Sequence, residues 1–245
     1  MSAARSDLVG DEALPEWLQP LAEAGRRIDS PRFLSPSMAE APDDARPAAV
    51  LVLFGESDAG PDLLLTERAH SLRSHAGQIA FPGGATDPGD DGPVATALRE
   101  AEEEVGVVPE GVDVFATLPR LWLPPSNFAV TPVLGWWREP SPVRVVDPVE
   151  VASVFRSPVS ELTDPANRFM VSHPSGWRGP GFTVHEGLTL WGFTAGIVAR
   201  LFSAVGWERP WDRTRVVPYP GAARDPLVEE IETDASRSSG HEHRG

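Results

Sequence analysis

Between residues 99 and 107 the chain reads Arg-Glu-Ala-Glu-Glu-Glu-Val-Gly-Val. On a helix, Glu100, Glu103 and Glu104 fall at i, i+3 and i+4, so three carboxylates leave one side of it. Without a counter-charge they repel one another, at a cost of roughly a few tenths of a kcal/mol per pair, and each raises the pKa of its neighbours. A hard divalent cation reverses that penalty, because Mg²⁺ or Mn²⁺ takes oxygen ligands and shares its shell with waters and substrate phosphates. An arbitrary acidic triplet is more often a solvated helix face. The surrounding residues decide between the two.

The elements that must position these groups are legible from periodicity. Val94, Ala97, Leu98, Ala101 and Val105 form one apolar stripe, which predicts a helix over 93–105 with the carboxylates on its other side. Asp91 or Gly92 caps its start with Pro93 in the first turn, and Gly106 ends it. Upstream, the apolar runs 48–54 and 62–67 read as two buried strands joined by a turn over 55–61, followed by 78–81 and then Pro82-Gly83-Gly84. Further strands are expected at 113–118, 128–136, 151–155, 168–171, 181–184 and 188–191. A closing helix over 194–204 buries Ile197, Val198, Leu201 and Phe202. Strands before, between and after two separated helices predict an α/β fold, an α/β/α sandwich with a mixed β-sheet.

Residues 1–45 are polar and proline-punctuated and read as a partly flexible N-terminal arm. A short helix near 16–24 would dock Trp17, Leu18 and Leu21, with Pro20 either interrupting it or opening its second half. Residues 46–221 form the main domain. From 222 to 245 the chain is rich in Ser, Gly and charge, and is expected to be a disordered tail.

Composition excludes several classes. The formal net charge is −15 and the 245 residues include no Lys, which argues against a nucleic-acid-binding surface and removes any Walker-type phosphate loop. A phosphate-bearing substrate must then be received locally, by arginines, backbone N–H groups and cations, against a repulsive long-range field. With no Cys there is no disulfide, thiolate nucleophile or zinc–cysteine site. Neither H-E-x-x-H nor G-x-S-x-G occurs. No secretory signal and no membrane-spanning run is evident, so the expected partner is a small molecule and the expected location the cytoplasm.

The acidic segment resembles the Nudix box, G-x5-E-x7-R-E-U-x-E-E-x-G-U with U apolar. Arg99, Glu100, Ala101, Glu103, Glu104, Gly106 and Val107 match in register, while Ala85 stands at the leading glycine and Asp91 at the first glutamate. A second segment, Leu64-Leu65-Thr66-Glu67-Arg68-Ala69, Arg73, Gly77, Phe81-Pro82-Gly83-Gly84 and Asp87, resembles the coenzyme A diphosphatase branch of that family. Val130-Thr131-Pro132-Val133 and Trp191-Gly192-Phe193-Thr194-Ala195-Gly196-Ile197 are similar to the same branch.

The resemblance implies a Nudix-type sandwich. It also implies metal-dependent hydrolysis of coenzyme A or its derivatives to 4′-phosphopantetheine, or its acyl form, and adenosine 3′,5′-bisphosphate. It assigns Glu100 and Glu104 as ligands of Mg²⁺ or Mn²⁺, Glu103 as a further ligand or the group activating water, and Arg99 as the group holding a glutamate. Arg68 and Arg73 are candidates for contacting the 3′-phosphate or the diphosphate, or else for pairing with surface carboxylates. Gly83 and Gly84 would let the backbone approach metal and phosphates, and would also serve a turn. Glu150 is a weaker candidate for a loop-borne carboxylate, and Trp122, Phe128 and Trp177 for stacking, with strand-edge and core roles the commoner outcomes. His70 and His75 read as structural. A homodimer is a family-level expectation. The rival readings are a Nudix hydrolase of another nucleoside diphosphate derivative, such as ADP-ribose or NADH, and a non-catalytic nucleotide-sensing module.

Overall fold

In the computed structural model, residues 8–33, 40–72, 75–124 and 126–220 are described. The long apolar run becomes β1 (Arg46–Ser57), which is buried on both faces: Ala49, Leu51 and Leu53 enter one apolar cluster, Val52 and Phe54 another. A strand covered on both faces has no polar alternation to show, which is why its sequence is continuous hydrocarbon. β1 forms a hairpin with β2 (Gly60–Arg68). Ser57 faces Gly60, so the strands run further into the turn than their apolar residues indicate, because ladder hydrogen bonds need only backbone.

β3 (Ile79–Ala80) pairs with the end of β2, and β4 (Gly83–Ala85) lies antiparallel to the start of β1. β5 (Val112–Thr117) and β6 (Leu121–Leu123) run antiparallel to β7 (Phe128–Trp137), which is parallel to β1 from Arg46↔Phe128 to Phe54↔Trp136. β8 (Val151–Pro158) completes the mixed eight-stranded sheet on the far side of β2.

Helices cover both faces. α1 (Gln19–Arg27) has Pro20 in its first turn, so the proline opens the helix rather than interrupting one that began at residue 16. Leu18 and Leu21 are fully buried, and Trp17 packs edge-on against Trp136 at 5.7 Å. α2 (Gly92–Val105) lies on the opposite face, with Ala97, Ala101 and Val105 against Ala49, Leu51 and Leu53. Gly106, at φ 75°, ends it as expected for a left-handed glycine stop. α3 (Val159–Thr163) is a single turn, and α4 (Gly192–Ala204) buries Ile197, Val198, Leu201 and Phe202 on the face shared with α1.

The remaining strands form a separate four-stranded sheet: β9 (Arg168–Ser172), β10 (Arg178–Val184), β11 (Leu188–Leu190) and β12 (Val216–Pro218), in the order β11-β10-β9-β12. Three of these strands are anticipated as strands, but their sheet is not. Consecutive antiparallel strands with short connections pair locally, and nothing in their periodicity says whether they extend an existing sheet. Among the described residues no helix is long and apolar enough to cross a membrane.

Candidate active site

The site lies where β4 passes between β1 and α2. Two glycines make that passage possible. A Cβ on Gly83 would stand 2.3 Å from the Ala49 carbonyl oxygen and 2.6 Å from the Val50 Cα, and one on Gly84 would stand 2.6 Å from the Glu100 carboxylate. The first contact lets β4 close onto β1. The second leaves room for a charged group on α2 to reach the strand.

Glu104, one turn further along α2, is buried, with 4 % of the residue exposed. Its Oε2 accepts a hydrogen bond from the Gly83 backbone N–H at 3.1 Å. Desolvation pushes its carboxyl pKa up to about 8, helped by the charges of Glu100 and Glu150 and opposed by the Gly83 N–H and by Arg68. Glu100 is raised in the same direction, first by burial and further by Glu103 and Glu150, against the pull of Arg99. Two carboxylates are thus held side by side in a place that disfavours their charge. Glu103 points elsewhere: its side chain is 59 % exposed and pairs with Arg99 Nη1 at 2.8 Å.

Arg99 is the hub of the acidic face. It donates from Nε to Asp90 Oδ1 at 2.9 Å and from Nη2 to Asp90 Oδ2 at 3.0 Å, and Nη2 also reaches the Ala85 carbonyl at 3.1 Å and lies 3.0 Å from Glu100 Oε1. The guanidinium therefore ties the loop before α2 to both Glu100 and Glu103. Asp90 is nearly buried, at 6 % side-chain exposure, and also accepts from the Thr96 hydroxyl and the Asp87 N–H, each at 2.9 Å. Its hydrogen bond to Arg99 holds its carboxyl well below the usual carboxylate range.

The register of the box puts Asp91 at the first glutamate, but Asp91 is exposed and makes no side-chain capping bond at the start of α2, and the aspartate that pairs with Arg99 is Asp90, one position earlier. Counting back from Arg99 selects Asp91, whereas counting forward from Gly84 across five residues selects Asp90. One extra residue lies between Asp90 and α2, and only the forward count reveals it. Thr96, whose hydroxyl donates to Asp90, carries no mark in the sequence beyond its place in the helix.

Among the described residues no three acidic or histidine side chains converge as a preformed metal cage. The donors fit a hard cation all the same. Mg²⁺ is commonly held by one or two carboxylates, with waters and substrate phosphates completing its shell. Glu100 and Glu104 supply the two carboxylates, and the buried Glu104 has one backbone N–H as its hydrogen-bond partner.

Arg68, at the end of β2, pairs with Glu150 at 3.8 Å, and its charge is felt by Glu104. Arg73 lies outside the described residues. Trp122 donates its indole N–H to Asn127 Oδ1 at 3.2 Å, holding the β6–β7 turn, and Phe128 lies beneath the Arg46 guanidinium at 4.3 Å. Trp177 ends the turn between β9 and β10, beside Trp191. His70 Nε2 is 3.1 Å from Glu67 Oε1, and His75 Nδ1 is 3.0 Å from Gln78 Oε1, so both have local partners.

Residues 44–173 match the model of the NUDIX domain. The chain is 40 % identical over 185 residues to the uncharacterised Nudix hydrolase NudL of Cronobacter sakazakii, which covers 73 % of this chain and 92 % of that protein. It is 44 % identical over 167 residues to NudL of Citrobacter koseri, covering 66 % and 83 %. The solved Nudix hydrolase RenU of M. smegmatis aligns over 69 % of this chain and 91 % of its own, at 21 % identity and a TM-score of 0.46. The chain belongs to the Nudix hydrolase family, enzymes that act on pyrophosphate bonds.

Proposed function

We propose that this hydrolase cleaves the diphosphate linkage of coenzyme A and its derivatives, releasing 4′-phosphopantetheine or its acyl form and adenosine 3′,5′-bisphosphate. The observation that carries the reading is the meeting of two sequence segments at one point. Arg68 and Gly83-Gly84, from the segment that resembles the coenzyme A branch, flank Glu100 and Glu104 of the acidic helix. A diphosphate bound there would contact residues from both.

Glu100 and Glu104 would hold Mg²⁺ or Mn²⁺, which when bound neutralises phosphate oxygens and sharpens a water nucleophile. Arg99, anchored on Asp90, keeps Glu100 aimed at Gly84 and holds Glu103 on the same flank. Glu103, the most exposed of the three, would accept a proton from water or complete a second ligand set after leaving its pair with Arg99. Arg68 offers a planar fork to the diphosphate. The bridging P–O bond breaks as the water oxygen bonds to phosphorus, and the leaving phosphate keeps the bridging oxygen.

The test is incubation of the protein with coenzyme A, ADP-ribose and NADH in parallel, with Mg²⁺, Mn²⁺ or chelator, and separation of the products. Metal-dependent release of adenosine 3′,5′-bisphosphate ahead of the other two cleavages is the expected result. Preference for ADP-ribose or NADH would reject the coenzyme A assignment and keep the chemistry; cleavage of none would favour a nucleotide-sensing module.

A further inference from the structure

Three arginines hold carboxylates, and they hold them differently. Arg99 grips Asp90 with two bonds at 2.9 and 3.0 Å, and Arg156 lies 2.8 Å from both carboxylate oxygens of Asp62. These geometries are those of hydrogen-bonded pairs, and each acid is nearly buried. Arg68 and Glu150 are 3.8 Å apart, beyond hydrogen-bond reach, and the Glu150 side chain is 49 % exposed. The first two pairs are built to stay. The third is an electrostatic tether that takes up none of the guanidinium's hydrogen bonds.

The backbone around Arg68 is nevertheless firmly set. β2 and β8 keep register as far as Glu67↔Ser153 and then slip, so that Arg68 faces Val151 and Ala152 is the extra residue of a bulge. Bulges re-aim side chains and commonly sit beside active sites. Glu67 accepts from the Ser153 hydroxyl at 3.0 Å on one side of the slip. The Ala69 N–H donates to the Glu150 carbonyl at 2.8 Å on the other. Arg68 itself donates its N–H to Gln78 and accepts from the Gly77 N–H, both at 3.0 Å. A fixed backbone carrying a long side chain leaves rotamer freedom as the main uncertainty in where the guanidinium lies. Among the described residues Glu150 is the one carboxylate within ion-pair distance of it.

We infer that Glu150 is a positioning residue for substrate: it holds the Arg68 guanidinium beside the Glu100–Glu104 site, so that the diphosphate meets a fork already in place. The inference rests on the reading of the site as a diphosphate hydrolase, which supplies the second anion. At 3.8 Å Glu150 takes none of the guanidinium's hydrogen bonds, so a phosphate can occupy the fork while the tether remains. Ordering Arg68 in advance lowers the entropy lost on binding, and its effect falls on substrate affinity.

The test uses Arg68→Ala, Glu150→Gln, Glu150→Asp and the Arg68→Ala/Glu150→Gln double variant, with kcat, KM and the pH profile measured on whichever diphosphate the wild type cleaves best. The expected result is a KM raised about 3- to 10-fold in Glu150→Gln, with kcat within about twofold and the pH limbs unmoved. Glu150→Asp should recover most of that loss. In the Arg68→Ala background, Glu150→Gln should add nothing further, because the tether has no cation left to hold. Additive KM effects overturn the inference, as does a collapse of kcat in Glu150→Gln with an altered pH limb, which would make Glu150 a proton acceptor. Failure of the coenzyme A reading shows separately, in the wild type's choice of substrate.

Discussion

The two longest helices, α2 and α4, are nearly the same length and do opposite things with burial. α4 buries Thr194, Ala195, Ile197, Val198, Ala199, Leu201 and Phe202, almost all of it hydrocarbon. α2 packs through the smaller Ala97, Ala101 and Val105, which lets it lie close to β1, and at that short range it carries Glu100 and Glu104 under the edge of the sheet. Burying hydrocarbon stabilises the fold at any pH, whereas burying carboxylates costs stability unless a cation or a proton compensates. One face of the sheet is built for folding, and the other gives up some stability for chemistry.

The sharpest way to break that contrast is to remove charge from α2. Glu104→Gln should lower turnover by about a thousandfold, equivalent to about 4 kcal/mol of transition-state stabilisation, while the protein stays folded. Near-normal turnover in the folded variant would remove Glu104 from the metal site. The matching change on α4 is Phe202→Ala, which should cost about 3–5 kcal/mol of stability by denaturant titration while the folded fraction keeps its kcat. A loss of kcat without a loss of stability would mean that α4 takes part in the site.

A smaller effect separates the two neighbouring aspartates. Asp90→Ala leaves Arg99 without its bidentate partner and should cost about 2–3 kcal/mol, while Asp91→Ala should stay within about 0.5 kcal/mol. Equal costs would contradict the anchoring of Arg99 on Asp90. A further effect, and the one that sharpens the comparison most, is in pH. The Glu104 carboxyl rises from 4.5 unfolded to about 8 folded, so its favourable contribution is complete below the unfolded value and is lost as pH climbs through about 8. Asp90, with its folded pKa depressed, contributes above the unfolded value of 3.8 and loses that contribution as pH falls through its folded value. With chelator present, Tm should therefore decline from pH 5 towards pH 8.5. Mg²⁺ should restore it more at the alkaline end, and Glu104→Gln should flatten the dependence. A Tm independent of both pH and Mg²⁺ would mean that Glu104 is not strained by burial.

Legibility followed periodicity. α2 and its glycine stop were readable because an apolar stripe and a left-handed terminus leave marks on neighbouring residues. β1 was readable as a long buried run. The start of α1 was misplaced because Pro20 is compatible with either a break or a beginning. The second sheet was invisible because strand pairing is a contact between distant residues. Asp90 is hidden from any count that starts at the helix, because the residue separating it from α2 lies in the loop.

The family, the acidic helix and the spacing of Glu100, Glu103 and Glu104 follow from the order of residues alone, since these depend on local backbone geometry and on residue type. Which carboxylates are buried, which aspartate anchors Arg99 and which arginine is loosely held emerge only once the chain is folded. Burial and pairing depend on what packs against a residue, and for Glu104 that is a glycine 21 positions away in the chain, brought there by the sheet.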